Sequence, residues 1–312
     1  MRIAVVGAGG VGGYFGARLA AAGADVHLVA RGAHLQAIRE RGLTVQSVHG
    51  DVHVSVSATD DATDIGPCDV VLFCVKAYDT QEAAARHLPP LLGDDTAVVS
   101  LQNGVDNAER IAAVVGQGHV VGGLAFIFAG IAEPGVVAHT GGPAKLVFGE
   151  FDGTSSERVR LFEQWCSLAG IAAEVSSDIH AALWHKYAFI CAQAGTTAAV
   201  RLPIGDVRAS EACWALFRRV VEETYAVAAA AGVHIEPGAV EERLAFAEAL
   251  PPGAFSSLRD DLVAGRRLEL DALHGTLVRL AAEHDVHVPA AEAIHGILEP
   301  WARHNDPSVP GR

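Results

Sequence analysis

The chain has 312 residues and a mass of 32.5 kDa, room for about two domains, each with a core of its own. Half of the residues are hydrophobic and 19% are charged, which excludes a disordered chain. The net charge of −14 argues against nucleic acid or an anionic membrane as the main partner, so a small anionic ligand needs local cationic groups.

Residues 2–6 are a short β-branched run. Residues 12–22 then read as a helix stopped by Gly23, and residues 25–30 as a strand alternating Val26, Leu28 and Ala30. A short helix over 34–41 ends at Gly42. Residues 69–75, 96–101 and 120–128 are almost continuous apolar runs, expected of parallel strands buried on both faces. Strands alternating with helices imply βαβ units and a doubly wound, mostly parallel sheet. After about residue 175 the strand signal stops, and 179–194, 211–231, 239–250 and 268–284 have helical periodicity. In the last of these, Leu270, Leu273, Leu277 and Leu280 form one stripe. The expected fold class is therefore α/β, with a dinucleotide-binding domain over 1–174 and an all-α domain over 175–312. The tail, 305–312, has two prolines and is expected to be loose.

The uncharged stretch 3–17 carries six glycines (Gly7, Gly9, Gly10, Gly12, Gly13, Gly16) and fits a glycine turn better than a signal-peptide core. The later run 120–132 is too short for the roughly 20 residues that span a bilayer. A soluble, cytoplasmic protein is expected. The five cysteines are scattered and odd in number, so reduced thiols are the default, and Cys74 and Cys191 read as small core residues.

Gly7-Ala8-Gly9-Gly10-Val11-Gly12 matches the Rossmann pattern GxGxxG, with a strand before it and a helix after it. The first glycine permits the tight turn, the second lets the backbone approach a pyrophosphate at the helix N-terminus, and the third lets helix and strand pack closely. A glycine-rich turn without a ligand is the alternative. At the end of the second strand, where NAD-binding folds place Asp or Glu, this chain has Arg31, 19 residues after Gly12. A guanidinium binds a 2′-phosphate bidentately and a carboxylate repels it, so NADPH is the expected cofactor.

Lysine occurs only at 76, 145 and 186; the rest of the 23 basic residues are arginine. Leu183, Lys186, Ile190 and Ala194 share one helical face, so Lys186 interrupts an apolar stripe. Desolvation of its ammonium depresses the pKa toward the working range of a proton donor; a lysine snorkelling at the edge of a core face is the alternative. Lys76 and Asn103 follow predicted parallel strands, where open α/β sheets bind ligands, although Asn103-Gly104 is also a turn signature. Ser257, with Asp260 three residues on, reads as a helix N-cap.

Val75-Lys76-Ala77, Leu101-Gln102-Asn103-Gly104-Val105, Trp184-His185-Lys186, Ser256-Ser257 and Glu269-Leu270-Asp271, in that order, resemble the ketopantoate reductase (2-dehydropantoate 2-reductase) family across almost the whole chain. The resemblance implies a Rossmann domain joined to a helical domain, an active site in the cleft between them, and NADPH-dependent reduction of a 2-oxo acid in pantothenate synthesis. It implies that Lys186 is the general acid and that Lys76 contacts the cofactor. Asn103 would meet the nicotinamide end and the substrate, and Ala129 would add a backbone contact to the cofactor. Ser257 matches the substrate-carboxylate position. Glu269 matches the cleft glutamate that orients Lys186 or the nicotinamide ribose.

The chain departs from the family at three positions. Ile190, Ala194 and Ile204 stand where the family has substrate-holding asparagines, and none can make a side-chain hydrogen bond. The substrate is then either ketopantoate held by other contacts or a less polar 2-oxo acid or ketone. A non-catalytic NADPH sensor is a third reading, which leaves Lys186 without a job; a β-hydroxy acid dehydrogenase on the same two-domain plan is a fourth, with a different lysine context. Hydride transfer needs no metal, and no metal is expected among the fifteen histidines. The Ala-rich stretch 224–231 suits close packing within the fold or across a homodimer.

Overall fold

The structure is a computed structural model and describes residues 1–309; residues 310–312 of the tail lie outside the described residues. Two compact units are present. The first holds Met1–Gln102 and Asn107–Ile179, and the second holds Asn103–Asp106 and the described residues from His180 onward.

The first unit contains the strands β1 (Arg2–Val6), β2 (Asp25–Val29), β3 (Leu43–Ser47), β4 (Val52–Val54), β5 (Ser57–Thr59), β6 (Val70–Phe73), β7 (Ala97–Ser100), β8 (Val120–Glu133), β9 (Val136–Gly149) and β10 (Ala172–Val175). Its helices are α1 (Gly10–Ala21), α2 (Gly32–Arg41), α3 (Thr80–His87), α4 (Asn107–Val115) and α5 (Glu157–Leu168). The sheet runs β4-β3-β9-β8-β7-β6-β1-β2-β5, with β10 beside β9. From β5 through β2, β1, β6 and β7 to β8 every pairing is parallel. The order reverses between β1 and β6, and open α/β sheets bind ligands beyond the carboxyl ends of the strands at such a switch point. Alternate residues of the central strands feed two cores. Ile3, Val5, Leu72 and Val99 enter one, and Ala4, Val6, Val71 and Phe73 the other. Burial on both faces is why these strands read as unbroken apolar runs.

Strands β3, β4, β5, β9 and β10 are not among the expected elements. Strand β9 crosses His139-Thr140-Gly141-Gly142-Pro143, and its antiparallel pairing with β8 is interrupted by register shifts, so neither continuity nor alternation marks it. Helix α1 begins two residues before the expected start.

The second unit is helical: α6 (Ile179–Val200, whose first residue belongs to the other unit), α7 (Ile204–Ala209), α8 (Glu211–Ala230), α9 (Ala239–Ala249), α10 (Ser257–Val263), α11 (Thr276–Glu283) and α12 (Pro289–Asn305). Trp184, Tyr187, Ala188, Cys191, Ala192 and Ala198 of α6 are all buried, so α6 is a core helix. The single helix expected over 268–284 is present as one unbroken helical run, 270–283, in which Asp271–Gly275 form a π-helical turn leading directly into α11. Leu270, Leu273 and Leu277 are buried as expected. Helix α12 was not foreseen. Its first amides, on Ala290 and Ala291, donate to the Glu223 carboxylate of α8 at 3.0 and 2.9 Å, a cap with no local sequence signature. Part of the tail is held: Asn305 is buried, and Asp306 pairs with Arg267 at 3.1 Å. Among the described residues no helix is long and apolar enough to cross a membrane.

Candidate active site

The glycine turn joins β1 to α1 at the switch point. Gly7 has φ +99°, and a Cβ there would sit 2.8 Å from Val75 N, so only glycine fits. A Cβ on Gly12 would lie 2.2 Å from Gly7 O and 2.8 Å from Val5 Cγ1, the close helix–strand packing expected of the third glycine. Gly9 is different, because a Cβ there meets nothing within 4 Å. The open space lies at the start of α1, which has no side-chain cap and no acidic residue in its first turn. These features fit a pyrophosphate. Gly10 faces the opposite constraint: a Cβ there would be 2.2 Å from Ala129 O of β8. Ala8 and Val11 belong to the same turn, and Ala129 is thereby brought against it.

Arg31 immediately precedes α2 and is largely exposed, 88% at its side chain, and its Nη2 is 3.2 Å from Asp79 Oδ2. Lys76 is exposed just past β6, where its carbonyl accepts from Asp79 N–H at 2.8 Å. Asp79 therefore links the positions predicted to read the cofactor's phosphate and its body. Gln102 was missed as a functional residue although it stands within the matched Leu101–Val105 motif. Its Nε2 donates to Val75 O at 3.0 Å and Thr80 Oγ1 at 2.8 Å, and its Oε1 accepts from Ser100 Oγ at 3.1 Å. It braces the loops after β6 and β7.

Asn103 opens the short segment assigned to the second unit. Gly104, with φ +116°, supplies the turn expected after it. Asp106 closes the segment, buried, and its Oδ2 accepts from Arg279 Nη2 at 3.0 Å and Thr276 Oγ1 at 3.3 Å.

Lys186 lies on α6 as expected and is half-buried. Desolvation falls on its ammonium and pulls the pKa down to about 8, while the Glu269 carboxylate partly opposes the fall. The structure thus brings Lys186 and Glu269 into electrostatic reach. Glu269 is not inside a helix; it precedes Leu270 and the π-helical turn. Tyr187, next to Lys186, donates its hydroxyl to Leu273 O of that turn at 2.5 Å, so the elements carrying Lys186 and Glu269 are tied. A tyrosine inside an apolar helix was the available signal. Ile190, one turn beyond Lys186, keeps some exposure, whereas Ala194 and Ile204 are core residues, 1% and 0% exposed. The N-cap expected at Ser257 belongs to Ser256, whose Oγ accepts from Arg259 N–H at 3.2 Å and bonds Thr197 Oγ1 of α6 at 2.8 Å. Ser257 is the exposed first residue of α10.

Two family models match this chain. One, described as ketopantoate reductase PanE/ApbA, covers residues 3–153. The other, its C-terminal counterpart, covers 178–301. The chain belongs to the ketopantoate reductase family. As a member of that family it is an oxidoreductase acting on CH–OH groups. It is 33% identical to the 2-dehydropantoate 2-reductase of Halobacterium salinarum, over 96% of this chain and 98% of that one. It is 32% identical to an uncharacterized oxidoreductase, YkpB, of Bacillus subtilis, with the same two coverages. A crystal structure of a PanE/ApbA family ketopantoate reductase from Ralstonia eutropha is 35% identical, with a TM-score of 0.90 over 98% of this chain and 99% of that one. The fold shared with that Ralstonia eutropha structure is a mostly parallel sheet with helices followed by a helical unit.

Proposed function

We propose that this chain reduces a 2-oxo acid to a 2-hydroxy acid with NADPH, with 2-dehydropantoate the first candidate and pantothenate synthesis in the cytoplasm the setting. The observation that carries the reading is the desolvated Lys186 ammonium beside Glu269, at the position where the family resemblance puts its general acid. The domain roles follow: the first unit holds the nucleotide, and the helical unit supplies the proton donor.

In this reading the amides of Gly9, Gly10 and Val11 at the start of α1 receive the pyrophosphate, with Gly7, Ala8 and Gly12 shaping the turn. Arg31 holds the 2′-phosphate, its exposed guanidinium exchanging the Asp79 carboxylate, which would repel a phosphate, for that group. Lys76, Asn103, Ala129 and Glu269 complete the cofactor contacts. Ser257 and Asn103 hold the substrate. Bound NADPH supplies a hydride to the carbonyl carbon. As the carbonyl oxygen gains charge, Lys186 Nζ stabilises it and then releases a proton to it, leaving a neutral amine that recovers a proton from solvent.

The test is loss of NADPH absorbance with a panel of 2-oxo acids, 2-dehydropantoate first. Lys186→Ala is expected to cut turnover by about 10²–10⁴-fold with NADPH binding nearly intact; unchanged turnover ends the assignment. Arg31→Asp is expected to raise KM for NADPH about 10–100-fold, the loss of a charge-assisted contact, with little effect on KM for NADH. A flat response to the whole panel favours a nucleotide sensor. The partly buried Ile190 one turn beyond Lys186 favours a second substrate reading, a less polar 2-oxo acid, and a stronger response to a compound without the hydroxyl of 2-dehydropantoate would select it.

A further inference from the structure

The glycine turn is held from behind by a histidine. His34 stands in the first turn of α2, three residues after Arg31. Its Nε2 lies 2.9 Å from Ala8 O, and Gly135 N–H donates to its Nδ1 at 3.0 Å. A carbonyl only accepts and an amide N–H only donates. The two bonds together therefore require one form of the ring, neutral with its proton on Nε2.

Ala8 is fixed on both sides. Its N–H and that of Gly7 donate to Val29 O, at the end of β2, at 3.3 and 3.1 Å. The carbonyl of Ala8 and the N–H of Gly9 belong to one planar, trans peptide unit and point in opposite directions. Holding Ala8 O at His34 therefore aims Gly9 N–H away from α2. Gly9 is also the residue that borders open space.

The other anchor is equally seated. Gly135 forms the turn between β8 and β9 with φ +82°, and a Cβ there would lie 3.1 Å from Ala37 Cβ of α2. Its carbonyl accepts from Thr44 N–H of β3 at 3.0 Å. The same hairpin presses Ala129 O against Gly10. None of these bonds uses the amides of Gly10, Val11 or Gly12.

We propose that His34, as the neutral Nε2–H imidazole, is a positioning residue of the dinucleotide site, orienting the Ala8–Gly9 peptide for a phosphate-bearing ligand. The inference rests on the reading that this turn holds a dinucleotide. Protonation would place a second N–H opposite Gly135 N–H, two donors facing each other, and release the hairpin. Burial already holds the imidazole below its ordinary range. The titratable and charged groups on the packed elements are Arg31 just ahead of α2, Arg39, Glu40 and Arg41 of α2, Glu133 of β8, His139 and Lys145 of β9, and Asp25 and His27 of β2. Arg31 pairs with Asp79, Arg39 with Asp60, and Arg41 donates to Pro134 O. The glycine turn carries no charged side chain.

The experiment titrates the full-length protein with NADP⁺ across roughly pH 5 to 8, in the wild type, His34→Ala and His34→Gln. The ligand's 2′-phosphate titrates in the same range, so the deciding quantity is the ratio of variant to wild-type Kd at each pH. For His34→Ala the ratio is expected to be about tenfold near neutrality and to fall toward one as the wild-type imidazole protonates. His34→Gln, which keeps one donor and one acceptor, recovers part of the loss. In parallel, NMR of the ring nitrogens of the ligand-free wild type is expected to show the neutral Nε2–H form, a readout that holds even where a variant fails to fold. A ratio near one throughout, or a proton on Nδ1, overturns the proposal while leaving the dinucleotide reading intact. Failure of the wild type to take up NADP⁺ near neutrality removes the dinucleotide reading and the role of His34 with it.

Discussion

Lys186 combines two demands that oppose each other. Burial weakens its hold on a proton, to a pKa of about 8, and Glu269 restores part of that hold. In the proposed reaction the ammonium is the active form, so kcat/KM is expected to fall as pH rises through about 8. Glu269→Gln removes the group that raises the pKa, and the alkaline limb should move to lower pH; a limb that stays in place would separate Glu269 from the proton donor. Linkage gives a second consequence. A lysine whose folded pKa lies below its unfolded value weakens folding at every pH below the folded value, and the penalty disappears only above the unfolded one. Lys186→Met, which keeps the stem and drops the charge, should therefore raise the denaturant midpoint near pH 7 while abolishing turnover. A lower midpoint would mean that the ammonium is better satisfied than its burial implies.

At the level of elements, the start of α1 is bounded by open space on one side and by β8 on the other. Two adjacent glycines separate these constraints. Gly9→Ala should leave thermal stability unchanged and abolish NADPH binding, because its methyl enters the space assigned to the pyrophosphate. Gly10→Ala meets Ala129 O at 2.2 Å and should cost about 1–3 kcal/mol of stability. Calorimetric unfolding and nucleotide titration of both variants check the pair, and similar behaviour of the two would contradict the geometry. The central strands, the glycine turn and the lysine on α6 were readable because each breaks or sustains a period of apolar residues. The π-helical turn was not, since Leu270, Leu273 and Leu277 have the same spacing in an unbroken helix. Helix α12 has local marks, Pro289 at its start and Ala290, Ile294 and Leu298 at helical spacing; what the local sequence hides is its cap, the Glu223 carboxylate 67 residues before Ala290. Ser256 and Ser257 offered two neighbouring hydroxyls, and only the backbone decided which one caps α10. Glu269 had no periodicity to mark it and was found through resemblance alone.

Over the whole molecule, the glycine turn, Arg31, Lys76 and Ala129 belong to one unit, and Lys186, Glu269, Ser257 and Asn103 to the other. NADPH at about 100 times its Kd should add about 2.7 kcal/mol to the folded state. Hydrogen exchange should show that protection first in α1, β2 and the β8–β9 turn; a gain confined to the helical unit would contradict the proposed division of labour. His34 and Gly135 stand 101 positions apart, and that separation bears on synthesis. A chain leaving the ribosome exposes its glycine motif and Arg31 long before Gly135 follows. If His34 acts as proposed, a nascent first half would display the fingerprint yet lack the backing that aims it, and its affinity for a nucleotide should rise about tenfold once the hairpin has emerged.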